Sequence, residues 1–310
     1  MPPDQNSPVA ALDCGTNSTR LLIISGDGET LSRLMRITRL GQGVDATQHL
    51  DETAIQRTVD VLADYRRQMD EFGVGRARLV ATSAVRDAEN GQQFLDAATE
   101  VIRAQAEVLS GSEEGRLSYA GATMGLAPSG GDDVVVDIGG GSTELVVDVD
   151  GLVAAVSLDI GCVRVTERYL TDDPPEPDQV GAATEGITEA LRTAGERIPR
   201  LRSLREPRRL IGLAGTVSTL AMLELGMADY ERDLVHHAEL SAASVERWSS
   251  GLLRESVRER LSHPGLPEGR ADVIAAGALI LHLAMSELSF ESCLVSESDI
   301  LDGLVASIRS

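Results

Sequence analysis

Lysine is absent from this sequence, and all 28 of its basic residues are arginine. This absence excludes a P-loop lysine and a lysine Schiff base, so any side chain that clamps a phosphate must be an arginine, which binds oxyanions bidentately. Acidic residues number 49, which gives a formal net charge of −21. Such a charge argues against nucleic acid or an anionic membrane as a partner, because both favour a basic face. A polyanionic substrate would need a local arginine cluster, backbone amides and a divalent cation.

Aromatic residues, cysteines and long apolar runs are also scarce. Aromatics make up only 3% of the chain, so the core must consist largely of Leu, Val, Ile and Ala. No apolar run approaches the roughly 20 residues that span a bilayer, and residues 1–8 do not resemble a signal peptide. Cys14, Cys162 and Cys293 share no CxxC spacing and cannot all pair. This pattern argues against structural zinc and predicts a reducing, cytoplasmic location.

The length and the order of predicted elements indicate two α/β domains. A chain of 310 residues with 42% hydrophobic and 25% charged residues is typical of a globular protein with two cores. We predict domains over 1–125 and 126–310, joined by a linker at 126–133, with the C-terminal helix (299–310) a candidate to pack back on the first. Strands are predicted over 9–14, 19–25, 31–39, 78–83, 107–109, 152–158 and 291–295, and helices over 51–72, 91–103, 112–124, 179–197 and 299–308.

The most informative stretch is VVVDIGGGSTELVVDV, from Val134 to Val149. Two strand-like runs flank a turn made of Gly139, Gly140 and Gly141, which predicts a β-hairpin. The acidic and hydroxyl residues around this turn are Asp137, Ser142, Thr143 and Glu144. Bare glycine amides can surround an anion, and carboxylates beside them suit a metal–phosphate site. On this stretch alone, an ordinary Gly-rich hairpin is an equally good interpretation.

A second copy of the pattern begins at Ala11 with ALDCGTNSTRLL. When Asp13 is laid on Asp137, the glycine, serine, threonine and leucine positions that follow also coincide. A twofold repeat of about half a chain suggests two related domains facing each other across a cleft, with phosphate between them.

Three further segments are candidates for the same site. Arg86 follows a predicted buried strand, where ligands bind in open α/β sheets; the alternative is a salt bridge to Asp87 or Glu89. In Ser110-Gly-Ser-Glu-Glu, Ser110 and Glu113 fit a capping box, which leaves Glu114 to face the cleft because adjacent helical residues diverge by about 100°. Gly215 and Thr216 follow another strand and enter a helix, whose free amides can bind phosphate.

Two other clusters are given structural interpretations. His236 and His237 resemble a metal pair, but adjacent residues on a helix or strand point apart, and no third ligand stands at a useful spacing. The five arginines between Arg200 and Arg209 are interpreted as a solvated charged face, with a role in gathering a long polyanion as the alternative.

The motifs together resemble the exopolyphosphatase / guanosine pentaphosphate phosphohydrolase (Ppx/GppA) family. The resemblance rests on ALDCGTNSTRLL, ATSAVRDAEN, LSGSEEGRLSYAG, VVDIGGGSTEL, DIGCVRVTE, GLAGTVSTL and GRADVIAAGALIL, which lie in order from residue 11 to about 281. It implies two actin-like ATPase (ribonuclease H-like) domains, which agrees with the repeated order of strands and helices. One departure is the closing segment, where Asp302-Gly303 stands in place of an arginine-containing Leu-Arg-Glu-Gly.

The resemblance also implies roles for individual residues. Glu114 would activate the attacking water. Asp137 and Glu144 would be catalytic and hold Mg²⁺, and Asp13 is a further candidate metal ligand. The residues expected to line the phosphate path are Asn17, Ser18, Arg86, Gly139, Gly140, Gly141, Ser142, Thr143, Gly215 and Thr216. A homodimer is expected by analogy.

Three functions are compatible with these motifs. The first is an exopolyphosphatase that releases orthophosphate from the end of inorganic polyphosphate. The second is a guanosine pentaphosphate (pppGpp) 5′-phosphohydrolase, which the motifs do not separate from the first. The third is an ATP-binding switch or kinase, against which the Ser-Glu-Glu helix start argues, because a hydrolase needs a base aimed at water.

Overall fold

A computed structural model describes residues 7–310 as a chain of alternating strands and helices. The strands are β1 (Val9–Cys14), β2 (Ser18–Ile24), β3 (Thr30–Ile37), β4 (Arg76–Ala81), β5 (Ala106–Val108), β6 (Asp133–Ile138), β7 (Thr143–Val149), β8 (Leu152–Leu158), β9 (Arg209–Leu213), β10 (Glu239–Ser241) and β11 (Ser292–Val295). The helices are α1 (Val44–Thr47), α2 (Glu52–Glu71), α3 (Ser83–Asp87), α4 (Gly91–Ile102), α5 (Gly111–Thr123), α6 (Cys162–Tyr169), α7 (Pro177–Arg197), α8 (Ala214–Leu225), α9 (Arg232–Val235), α10 (Ala242–Leu252), α11 (Val257–Arg260), α12 (Ile274–Glu287) and α13 (Ile300–Arg309). Two 3₁₀ segments lie at Pro199–Arg202 and Glu268–Arg270.

The chain divides into two compact units. Unit 1 runs to Gly121 and includes the C-terminal segment Ile300–Ser310, whereas unit 2 comprises Ala122–Asp299. The division falls within α5, a few residues before the boundary predicted after residue 125.

The sheet of unit 1 has the order β3–β2–β1–β4–β5. Strands β1, β2 and β3 form an antiparallel meander, and β4 and β5 join parallel to β1. Side chains on a strand alternate between faces, so Leu12 packs in the core that contains α2 and α4, while Ala11 packs in the core that contains α13. Helix α2 begins where the Asp51 side chain accepts hydrogen bonds from the amides of Thr53 and Ala54.

The sheet of unit 2 repeats this topology as β8–β7–β6–β9–β11 and adds β10 at the edge beside β11. The meander β6–β7–β8 is again antiparallel, and β9 and β11 are parallel to β6 and β9. Helix α12 is apolar on nearly every side and lies within the main core of this unit. The fold class predicted from the sequence, α/β with two domains of actin-like topology, is confirmed.

Among the strands and α-helices of unit 2, β10, α6, α9, α10 and α11 were not predicted. Strand β10 has only three residues, which is too short for a period-two pattern to emerge. Helix α6 follows the DIGC motif and begins at Cys162. The other predicted elements are present, with ends that differ by a few residues.

The arginines between Arg200 and Arg209 pair with acidic side chains of unit 2. Arg200 binds Asp132 through Nε at 2.7 Å and Nη2 at 3.0 Å, and Arg209 binds Asp133 at 2.8–3.0 Å. Arg202 pairs with Glu196, Arg205 pairs with both Asp132 and Asp150, and Arg208 pairs with Glu206. The run therefore lies at the surface, with Arg202 and Arg205 about half exposed, as the predicted solvated face requires, and each of its guanidinium groups is paired with a nearby acid. In the part of the chain that is described, we find no helix with the length and hydropathy needed to cross a membrane.

Candidate active site

The glycine turn of unit 2 is held by the N-terminus of α6. The carbonyls of Gly139 and Gly140 accept hydrogen bonds from the amides of Cys162 (2.9 Å) and Val163 (2.8 Å), and the carbonyl of Gly141 accepts from Arg164 Nε (2.7 Å). A Cβ on Gly161 would overlap the Gly140 carbonyl, so this approach requires glycine at the entry to α6.

These contacts fix the direction of the turn's amides. The peptide bonds here are trans, and in a trans peptide the C=O of one residue and the N–H of the next point in opposite directions. Since three successive carbonyls face α6, the N–H groups of Gly140, Gly141 and Ser142 point away from it. Successive N–H groups of this kind form a concavity that suits an anion. The sequence indicates the glycines of this turn but not the helix that orients them.

Asp137 and Glu144 lie directly opposite each other at the base of this turn. They are register partners in the antiparallel pair β6–β7, and they are only 8% and 1% exposed. Carboxylates are the kind of side chain that binds a hard cation. The Ser157 hydroxyl donates to Glu144 Oε1 at 2.6 Å.

This donor set fits Mg²⁺. Magnesium is usually held by one or two carboxylates together with waters and substrate phosphates, rather than by a cage of protein ligands. Residues 7–310 contain no cluster of three or more His, Cys, Asp or Glu side chains suited to a metal.

The two hydroxyls that follow the glycines have different surroundings. Thr143 is fully buried, and its hydroxyl donates to the Ile160 carbonyl at 2.5 Å. A phosphate contact by Thr143 would therefore have to come from its backbone. Ser142 is also buried, and its carbonyl accepts the Gly139 amide at 3.0 Å, which closes the turn.

Unit 1 contains the same turn with a different charge. The Gly15 amide donates to the Ser18 carbonyl at 3.0 Å, as Gly139 does to Ser142. The register partner of Asp13 is Arg20, whose Nε and Nη2 donate to Asp13 Oδ2 at 3.0 and 2.7 Å. Arg20 thus occupies the position of Glu144, and the Asp13 carboxylate is balanced by a guanidinium within its own unit. Sequence analysis missed Arg20, although the laid-over motifs place it there. A metal role for Asp13 stays a prediction.

Asn17 ends the glycine turn of unit 1, and Ser18 is the first residue of β2. The Asn17 carbonyl accepts hydrogen bonds from the amides of Thr38 (3.0 Å) and Arg39 (2.9 Å). Both side chains are half-buried. The phosphate contacts predicted for these two residues stay predictions. The hydrogen bonds to the Asn17 carbonyl hold the backbone at this position against the segment that follows β3.

Arg86 and Glu114 are brought together in unit 1. Arg86 Nη1 lies 3.3 Å from Glu114 Oε2 and donates to the Leu109 carbonyl at 3.0 Å. The predicted alternative, a pair with Asp87 or Glu89, is not the contact seen. These elements meet because β4 and β5 are parallel neighbours, so α3 and α5 begin at the same edge of the sheet.

The two glutamates at the start of α5 have distinct environments. The Glu114 side chain is 12% exposed, whereas that of Glu113 is 48% exposed and lies 3.6 Å from Arg78. The Ser110 hydroxyl accepts the Glu113 amide at 3.3 Å, which is the serine half of a capping box. Of the two carboxylates, Glu114 is the one placed beside a guanidinium with little exposure to solvent.

An arginine from a distant part of the chain packs on the glycine turn at the start of α8, and it was not predicted from the sequence. A Cβ on Gly215 would overlap the guanidinium of Arg270, and Arg270 Nη1 donates to Thr219 Oγ1 at 3.1 Å. Thr219 in turn donates to the Gly215 carbonyl at 2.6 Å. Thr216 is buried against Gly277 of α12. The GRADVI motif is therefore adjacent to the glycine turn of α8.

His236 and His237 lie against each other, contrary to the prediction that they point apart. Their ring centroids are 3.7 Å apart, because His237 adopts a left-handed backbone conformation with φ of 67°. His236 Nδ1 accepts the Glu297 amide at 3.0 Å, so this nitrogen is occupied by a structural hydrogen bond.

Comparisons with known proteins agree with this geometry. The profile of the Ppx/GppA phosphatase family matches residues 23–309. "Exopolyphosphatase 2" of Mycobacterium tuberculosis is 40% identical over 316 residues, which cover 97% of this chain and 98% of that protein. The chain belongs to the Ppx/GppA phosphatase family.

Solved structures give the same result. The crystal structure of an exopolyphosphatase-like protein has a TM-score of 0.91 at 34% identity and covers 97% of this chain and 98% of that one. An exopolyphosphatase from Cytophaga hutchinsonii has a TM-score of 0.88 at 26% identity and covers 98% of both chains. The Ppx/GppA family member of Aquifex aeolicus has a TM-score of 0.80 at 32% identity, with 97% of each chain covered.

Proposed function

We propose that this protein is a magnesium-dependent exopolyphosphatase that removes the terminal phosphate of inorganic polyphosphate. The observation that carries the proposal is the buried pair Asp137–Glu144 beside a row of oriented glycine amides. The relatives named exopolyphosphatases, one of them 40% identical over nearly the whole chain, support the choice of polyphosphate as substrate.

In the proposed reaction, Glu114 orients a water molecule and accepts its proton. The water oxygen attacks the terminal phosphorus, the bond from that phosphorus to the bridging oxygen breaks, and the products are orthophosphate and a chain shorter by one phosphate. Phosphoryl transfer requires mainly positioning and charge stabilisation. Arg86 and the amides of Gly140, Gly141 and Ser142 would supply part of that stabilisation.

Asp137 and Glu144 are the residues that would hold Mg²⁺. When bound, the ion neutralises charge on phosphate oxygens. A phosphate chain and two facing carboxylates are both negatively charged and would repel each other, and an ion bound between them would reduce this repulsion.

The competing substrate is guanosine pentaphosphate, which the sequence motifs do not separate from polyphosphate. The test is phosphate release in Mg²⁺ from short polyphosphate, long polyphosphate, guanosine pentaphosphate and ATP, with Glu114→Ala as the blank. We expect release from polyphosphate that the variant abolishes. Activity on guanosine pentaphosphate alone would establish the competing function, and inactivity on all four substrates would refute a hydrolase.

A cytoplasmic location and a homodimeric state form part of the proposal. The location is supported by three buried free cysteines, which are typical of a reducing compartment. Sedimentation at micromolar concentration tests the oligomeric state, and a monomer would refute the dimer without affecting the proposed reaction.

A further inference from the structure

Ser157 completes a row of side chains that crosses the sheet of unit 2. Asp137 pairs in register with Glu144, and Glu144 pairs in register with Ser157 on β8. Register partners point to the same face of a sheet, so the three side chains follow one another across β6, β7 and β8. The Ser157 hydroxyl donates to Glu144 Oε1 at 2.6 Å.

The corresponding row of unit 1 serves as an internal comparison. There Asp13 pairs with Arg20, and Arg20 pairs with Met35 on β3. The middle residue is a cation that binds the aspartate directly, and the outer residue is apolar. The row therefore has a hydroxyl donor, Ser157, on its third strand only in unit 2, where the residue on the second strand is a carboxylate, Glu144.

We propose that Ser157 is a positioning residue for the metal site, acting through Glu144. This inference rests on the proposed function, in which Asp137 and Glu144 hold Mg²⁺. A hydrogen bond at Oε1 restrains rotation of the carboxylate group and fixes the direction of its second oxygen.

The expected cost of losing this restraint follows from other metal sites. Partners that hydrogen-bond to a metal ligand contribute about 10–100-fold in metal affinity. We expect Ser157→Ala to raise the Mn²⁺ dissociation constant of the protein, measured by electron paramagnetic resonance without substrate, by about that factor. The Mg²⁺ concentration for half-maximal activity should rise in parallel, while kcat at saturating Mg²⁺ changes little.

Two matched variants make the result specific. Ser157→Thr keeps the hydroxyl and suits a strand, so it should restore metal binding. Ser32→Ala removes a comparable hydroxyl on β3, where Ser32 donates to Gln68 at 3.1 Å, and it should leave Mn²⁺ binding unchanged. If Ser157→Ala does not fold, Ser157→Cys, a weak donor of similar size, replaces it with the same expectation.

Glu144→Gln separates the failure of this inference from the failure of the proposed metal site. If Glu144→Gln leaves Mn²⁺ affinity unchanged, the metal assignment itself is refuted. If Glu144→Gln weakens binding but Ser157→Ala lowers only the melting temperature, Ser157 is structural and the inference is overturned. If Ser157 acts through Glu144, adding Ser157→Ala to Glu144→Gln should weaken binding no further, since the two effects are coupled.

Discussion

Glu114→Gln is the substitution that most directly tests the proposed reaction. Glutamine keeps the size of the side chain and an oxygen that can face Arg86 Nη1, 3.3 Å away, but it cannot accept a proton from water. General-base catalysis contributes about 10²–10⁴-fold, which corresponds to about 3–5 kcal/mol of activation free energy. We expect kcat on polyphosphate to fall by that factor and KM to stay within about threefold.

The structure also sets the stability expected of this variant. The Arg86 and Glu114 side chains are 25% and 12% exposed, so the ion pair is only partly shielded from solvent, and its loss should cost about 1 kcal/mol or slightly more. A change of that size lowers the melting temperature by a few degrees. A folded variant with a large loss of kcat would therefore reflect chemistry rather than unfolding.

Glu113→Gln is the matched control for Glu114→Gln. Glu113 precedes Glu114 on the same helix, but its carboxylate is four times more exposed and lies beside Arg78. We expect near-normal kcat from this control. Steady-state phosphate release at saturating Mg²⁺ measures both variants. A near-normal rate for Glu114→Gln, or an equal loss for Glu113→Gln, would refute the assignment of Glu114 as the base.

Three further predictions concern the fold. Asp132→Ala should lower the free energy of unfolding, measured in urea, by about 3–5 kcal/mol, because it removes a carboxylate that is 1% exposed and deprives the Arg200 guanidinium of this partner. A loss below about 1 kcal/mol would contradict this prediction. Burial raises the pKa of Cys162 to about 11 and that of Cys293 to about 12, and raises that of Cys14, so a thiol reagent at neutral pH should modify no cysteine until the protein unfolds. Hydrogen bonds from Ala54 and Thr53 lower the pKa of Asp51 in the folded protein below its ordinary 3.8. The Asp51 carboxylate therefore stabilises the fold fully above pH 3.8, and this stabilisation is lost as the pH falls through the lower pKa of the folded state. Melting curves of wild type and Asp51→Ala should therefore differ near neutral pH and converge in acid.

The two glycine turns could be predicted because their signal is local. Short apolar runs on both sides of each glycine turn indicate the strands, and the copies at Asp13 and Asp137 support each other. The opposed positions of Asp137 and Glu144 follow from the same pattern once the turn is known. The overlaid motifs also show that Arg20 of unit 1 stands at the position of Glu144 in unit 2.

Contacts between distant segments could not be predicted. Arg270 packs over Gly215 from a different part of the chain, and no periodicity links the two. The same holds for Arg200, whose partner Asp132 lies on the other side of three strands and two helices. A charge run taken alone predicts a solvated face, because sequence spacing says nothing about acids that the fold brings alongside.

The pairing of the arginine run with acids bears on how an acidic protein could bind a polyanion. With Arg200 and Arg209 already bound to Asp132 and Asp133, that segment has little positive charge to offer a phosphate chain. Under the proposed function, binding would then depend on Arg86, on the oriented amides of the glycine turn and on a cation held by the facing carboxylates. The two units differ at one position of this row: unit 1 has Arg20 opposite Asp13, whereas unit 2 has Glu144 opposite Asp137, and it is at this second pair that we propose the metal ion binds.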